Sequence, residues 1–197
     1  LSLENQHKLM TVKVESEVLR ETQLVVCLLF QYAGMSFVDF AHLKERNIKN
    51  GILDYNRQKT GTPMRLEILD TAELMRKELM GDKKPASGYL FPFLSGTKTG
   101  YEAYLEYNAA LSRFNRNLKA LKKAAGIASD VTSYTIRHSF AMALKEQNVP
   151  IEMISELLGH KSIKTTQIYL RSFSLEKMTE VNSTCFGCVY NYVSKVG

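Results

Sequence analysis

The dipeptide Asn50-Gly51 constrains the fold of this chain more than any other feature. A two-residue hairpin turn needs φ above zero at both central residues, and Asn-Gly meets that need best. The pair is flanked by "NIK" and "ILDYNRQ"; a second turn, "KTGTP", leads into "MRLEIL", where Met64, Leu66 and Ile68 alternate with polar neighbours. A period of two over residues 47–69 predicts a small antiparallel sheet of about three strands.

On both sides of this sheet the period is helical. Residues 15–31 carry apolar positions at helical spacing. "SFVDFAHLKERNI" (36–48) predicts a second helix, with Ser36 as cap, Asp39 in the first turn and Lys44 and Arg46 towards the end. Residues 70–81 form a third, capped by Asp70 and closed by Gly81. A long helix over 100–125 ends in the basic "LKALKKAAG", and another starts near Thr135. Pro150 opens the next, which Gly159 ends as a left-handed cap, and Ser162 caps "SIKTTQIYLRSF". The class is mainly α with a small antiparallel β-sheet (α+β).

With 197 residues the chain has room for one good-sized domain or a domain with an appendage. The expected division is a domain over 1–179 and a C-terminal tail over 180–197. Hydrophobic residues make up 45% and charged residues 23%, which supports a packed core. The longest apolar run is "LVVCLLF" (24–30), too short to span a membrane. No secretory signal is visible, and the start at Leu1 without methionine leads us to expect a piece of a longer protein. A net charge of +6 and a pI near 9.1 permit a polyanionic partner without requiring one. Cys27, Cys185 and Cys188 fit a reducing cytosol. The one C-x-x-C has no second ligand pair at suitable spacing, so no metal is expected.

Four features then occur in a fixed order: Lys59 in "RQKTG", Arg137 with His138 in "TIRHSFA", His160 directly after Gly159, and Tyr169 nine residues further. Singly each has an ordinary reading. A turn lysine is solvated, a Gly-His pair ends a helix, and a tyrosine between Ile168 and Leu170 packs in a core. The segment from Arg137 to Leu170 also reads as a helix-turn-helix with basic residues facing DNA.

Taken together, the four features resemble the tyrosine recombinase or phage integrase family. Its catalytic domain carries a hairpin lysine, an H-x-x-R box, an L-G-H box and a nucleophilic tyrosine. "AGMSFVDFAHLK", "RQKTG", "FNRNLK", "TSYTIRHSFA" and "LLGHKSIKTTQIYL" are most similar to integrases of conjugative transposons and related elements of Bacteroides-type bacteria. The resemblance covers residues 15–175. It implies the fold of DNA breaking-rejoining enzymes and site-specific recombination through a 3′-phosphotyrosyl intermediate, without ATP, metal or other cofactor. Tyr169 would be the nucleophile, Arg137 and His160 the donors to the phosphate, and Lys59 the general acid for the departing 5′-oxygen.

Two positions depart from the family pattern. Tyr134 stands where the H-x-x-R box has histidine; a phenol still hydrogen-bonds to phosphate but, with a pKa of about 10, shuttles protons poorly near neutrality. The first arginine of the family is absent, its place falling at Ala33 or Ser36, while Arg20, Lys44 and Arg57 are available cations. A catalytically silent DNA-binding relative and a type IB topoisomerase-like enzyme therefore stay open as alternatives.

The resemblance also implies double-stranded DNA as partner, a homo-tetramer on that DNA, a core-binding domain ahead of this one, and a cytoplasmic, nucleoid-associated location. Arg57, Lys59, Lys119, Lys122, Lys123, Lys161 and Lys164 are candidates for a DNA-facing basic surface, together with Arg113 and Arg116. The tail with "CFGCVYNYV" is a candidate for docking on a neighbouring protomer.

Overall fold

A computed structural model describes residues 1–83, 88–170, 178–179 and 182–184. The tail expected to dock on a protomer, including Cys185 and Cys188, lies almost wholly outside the described residues. Among these residues no helix is long and apolar enough to cross a membrane.

The sheet forms where period two places it. Strands β1 (Ile48–Lys49), β2 (Ile52–Asn56) and β3 (Pro63–Glu67) pair antiparallel in the order β1-β2-β3. Lys49 pairs with Ile52 across the two-residue turn, and both Asn50 (φ 51°) and Gly51 (φ 74°) take the left-handed conformation that turn requires. In β2, Leu53 and Tyr55 are buried while Asp54 and Asn56 are exposed; opposite them stand Leu66 and Met64 of β3. One face of the sheet therefore packs on the helices.

The helices named among the described residues are α1 (Leu3–Thr11), α2 (Glu17–Gln31), α3 (Phe37–Ala41), α4 (Asp70–Met80), α5 (Gly100–Ala124), α6 (Ser133–Glu146), α7 (Ile151–Leu157) and α8 (Ile163–Tyr169). Helix α2 is the hub, packing against α1, α4, α5 and α6. The apolar run of the sequence is its central stretch, and Leu24 to Leu29 are all buried. Fully burying one such side chain contributes roughly 1.5–3 kcal/mol. Aromatic stacking joins α3 to α5 and to the segment around Phe91, with Phe37 against Phe114 at 4.7 Å and Phe40 against Phe91 at 4.1 Å. A smaller core of Ala141, Ile154, Leu158 and Leu170 ties α6, α7 and α8 together.

Two local expectations are corrected, and one helix is added. The helix expected over 36–48 ends at Ala41, because Leu43 and Lys44 pair instead with Tyr89 and Leu90 in an extended bridge. Backbone pairing there satisfies groups that an isolated helix end would leave to solvent. Asp70 is the first helical residue of α4 rather than its cap, a place held by Leu69; its carboxylate still lies at the positive end of the helix. Helix α1 is additional. Its polar sequence hides it, since only Gln6 and Leu9 are buried, and the buried amide of Gln23 pins it by donating to the carbonyls of Leu9 and Val12.

Candidate active site

The alternation of β2 continues one residue past the strand. Leu53 and Tyr55 point inward, so Arg57 shares their parity, and it is only 7% exposed. This departs from its expected place on an exposed basic face. Arg57 donates from Nε to Asp39 Oδ2 at 3.4 Å, and from Nη1 to the carbonyls of Leu158 (3.0 Å) and Gly159 (3.1 Å). Asp39 in turn accepts from the Ser36 hydroxyl at 2.5 Å and from the Gln58 backbone N–H at 2.7 Å. Ser36, one of the two positions expected to stand in place of the first arginine, is the cap of α3, and its hydroxyl is structural. Ala33, the other candidate for that position, is a buried turn residue with φ 55°.

Among the described residues the Nη2 of Arg57 has no hydrogen-bond partner. Among those residues, the buried side-chain polar atoms without one are Tyr32 Oη and Ser139 Oγ. Nη2 is therefore reached by solvent, and it is an edge of the guanidinium able to meet an anion.

Arg137 arrives at the same place from α6. It donates from Nη1 to the Gly34 carbonyl at 2.9 Å and from Nη2 to the Leu158 carbonyl. Two buried guanidinium groups thus share one carbonyl oxygen. The negative end of α7, whose C-cap is Leu158, holds both, and the Asp39 carboxylate pairs with Arg57. Glycine is needed on both sides of this junction. A Cβ at Gly34 would stand 2.9 Å from the Phe140 ring, and one at Gly159 would stand 2.5 Å from Met64 Sδ and 2.7 Å from Arg57 Cδ. Gly159 has φ 61°, as its reading as a left-handed cap requires.

His160 follows directly and is anchored through its backbone N–H to the Ser155 carbonyl at 3.0 Å. Its Nδ1 lies 2.8 Å from the hydroxyl of Thr166 in α8. Burial, and then the charges of Arg137 and Arg57, pull its pKa down to about 4, so the ring is neutral at physiological pH. Helix α8, capped by the Ser162 hydroxyl, ends at Tyr169, three residues beyond Thr166. The side chain of Tyr169 lies outside the described residues.

Lys59 is exposed in the turn between β2 and β3, two residues past Arg57. Tyr134 is 63% exposed in the first turn of α6, one helical turn before Arg137. Arg113, Arg116, Lys119 and Lys123 lie exposed along α5, and Lys161 and Lys164 lie exposed at the start of α8. Lys122 is engaged at 3.3 Å with Asp130 and stands apart from that row. The structure therefore gathers Arg57, Arg137 and His160, joined by Asp39 and Thr166. The signal for Arg57 was its strand parity; the Thr166 contact has no counterpart in sequence spacing alone.

A sequence profile of the phage integrase family matches residues 3–176. Tyrosine recombinase XerD of Lacticaseibacillus casei is 52% identical over 54 residues, which is 27% of this chain and 18% of that protein. Tyrosine recombinase XerC of Rickettsia typhi is 41% identical over 75 residues, covering 38% of this chain and 24% of that protein. The matched stretch is thus a minor part of these relatives' length. Among solved structures, XerA recombinase superposes with a TM-score of 0.68 at 20% identity, over 93% of this chain and 62% of that one. The Tn1549 transposon integrase in complex with a circular intermediate DNA gives 0.67 at 14% identity, over 93% and 65%. At these identities the likeness is one of fold, that of tyrosine recombinase catalytic domains. With its profile matched over nearly all residues, the chain belongs to the phage integrase family.

Proposed function

We propose that this chain is the catalytic part of a tyrosine site-specific DNA recombinase. The observation that carries the reading is the convergence of Arg57 and Arg137 on the Leu158 carbonyl beside His160. Two cations packed this closely repel one another, and an anionic oxygen pair between them relieves that repulsion. Arg57 supplies the charge that the family places at its first arginine, and Asp39 and Ser36 orient it.

The reaction is an exchange of phosphate esters. Tyr169 attacks the scissile phosphorus as the phenolate, its proton lost to solvent; the bond to the 5′-oxygen breaks, and Lys59 protonates that oxygen as it leaves. Arg57, Arg137 and His160 stabilise the negative charge that grows on the phosphoryl oxygens. The 3′-phosphotyrosyl ester keeps the energy of the broken bond, so the reverse attack by a 5′-hydroxyl rejoins DNA without a cofactor. Tyr134 contributes a phenol at the edge of the site. Lys119, Lys123, Lys161 and Lys164 contact the flanking phosphates. Assembly as a tetramer on duplex DNA, with a core-binding domain closing the far side, completes the reading. The likeness of stretches such as "AGMSFVDFAHLK" and "RQKTG" supports reading it as an integrase of a conjugative transposon or related element of Bacteroides-type bacteria.

The test uses a nicked suicide DNA substrate that traps the covalent intermediate. The expected result is a protein–DNA adduct with the wild-type protein and none with Tyr169→Phe. Specific DNA binding without any adduct would instead identify a catalytically silent relative, and relaxation of supercoils without site preference a topoisomerase-like enzyme.

A further inference from the structure

Thr166 has no exposed surface, yet it carries a hydroxyl in the middle of a helix. Helical threonines usually satisfy that hydroxyl on the carbonyl four residues back. Thr11 and Thr22 do so here, at 2.8 Å to His7 and 2.7 Å to Val18. Thr166 does not. Among the described residues its hydroxyl meets only Nδ1 of His160, at 2.8 Å. Both ends of this contact are fixed by backbone bonds, His160 N–H to Ser155 and Leu170 N–H to the Thr166 carbonyl at 2.8 Å.

The identity of this partner matters because the ring is neutral. Burial and the two neighbouring arginines hold the His160 pKa near 4. A neutral imidazole has one N–H and one lone-pair nitrogen, and its neighbours decide which is which. A phosphoryl oxygen only accepts hydrogen bonds. To bind it, the neutral ring must carry its proton on Nε2, which leaves a lone pair on Nδ1 that requires a donor. A hydroxyl can donate; a carbonyl at the same place would fix the opposite tautomer. We propose that Thr166 is a positioning residue, whose hydroxyl donates to His160 Nδ1 and so presents Nε2–H to the scissile phosphate. The assignment of a phosphate as the target rests on the recombinase reading, but the tautomer is a property of the free protein.

Histidine labelled with nitrogen-15 reports the tautomer directly through long-range proton–nitrogen NMR on the intact chain near pH 7.5. The expected spectrum has His160 Nδ1 as the unprotonated nitrogen and Nε2 as the N–H. The near-isosteric Thr166→Val removes the donor and should blur this pattern into a mixture of tautomers. It should also slow covalent adduct formation by about 10- to 100-fold, the range seen when an outer partner of a metal-binding histidine is lost. Thr166→Ser restores the donor, and with it most of the lost rate. An Nδ1–H tautomer in the wild-type protein overturns the proposal, as does wild-type cleavage by Thr166→Val. If the wild-type protein itself forms no adduct, the recombinase reading fails, while the spectrum still decides the tautomer.

Discussion

Replacing Arg57 by alanine separates its structural role from its chemical one. Its side chain is 8% exposed and that of Asp39 only 1%, so the substitution strands a carboxylate that water barely reaches. Breaking a buried ion pair by removing one partner costs about 3–5 kcal/mol. Asp39 keeps two donors, Ser36 Oγ and Gln58 N–H, which places the loss at the lower end of that range. The Gly159 carbonyl also loses the Arg57 donor, worth about 1 kcal/mol, whereas the Leu158 carbonyl keeps Arg137. The sum is about 4 kcal/mol, or a melting temperature lower by about 8–16 °C for a chain of this size. Adding Asp39→Asn to the Arg57→Ala protein removes the stranded charge, and a double-mutant cycle should give a coupling of about 1 kcal/mol or more. A coupling indistinguishable from zero refutes the buried pair. Below the lowered melting temperature, adduct formation by the folded Arg57→Ala protein should fall about 10²- to 10³-fold, the typical loss of one oxyanion donor. Unchanged cleavage per folded molecule refutes the phosphate role while leaving the structural role intact.

Other perturbations probe separate parts of the site. Gly159→Ala forces a Cβ into Met64 Sδ and Arg57 Cδ at a left-handed φ; unfolding by urea should show a loss of about 2–4 kcal/mol. His160 binds its proton less readily folded, near pH 4, than unfolded, near 6.5. Its contribution to stability is complete above about pH 6.5 and disappears as the pH falls towards 4. Urea midpoints over that window should therefore fall more steeply for the wild-type protein than for His160→Gln, and equal slopes contradict the assignment. Alanine at Lys119 or Lys123, each exposed on α5, should lower the salt slope of DNA binding by about 0.9 per lost phosphate contact, measured by fluorescence anisotropy. An unchanged slope removes that lysine from the interface.

Local chemistry written into the sequence determined most of the framework. Asn50-Gly51 specified a two-residue turn because few other pairs accept two left-handed residues. The alternation after it specified a sheet with one buried face, and Gly159 a helix end. The helix expected over 36–48 failed because its second half exchanges helical bonds for a bridge to Tyr89 and Leu90, a pairing between segments about forty-five residues apart. Sequence order named Arg137, His160 and Lys59 as candidates, but it left the missing cation among Arg20, Lys44 and Arg57. In the folded chain their places differ. Arg20 forms an ion pair with Glu78, with both side chains about half exposed. Lys44 lies over the Tyr89 ring. Arg57 is turned inward by strand parity onto the end of α7, 101 residues away in sequence. The same holds for Thr166, whose hydroxyl meets His160 only once α8 is packed beside the Gly159 turn. Turn and strand preferences act between neighbours and can be read along the chain. The placing of two like charges on one carbonyl depends on how α3, α6, α7 and the hairpin pack, and packing is decided in three dimensions.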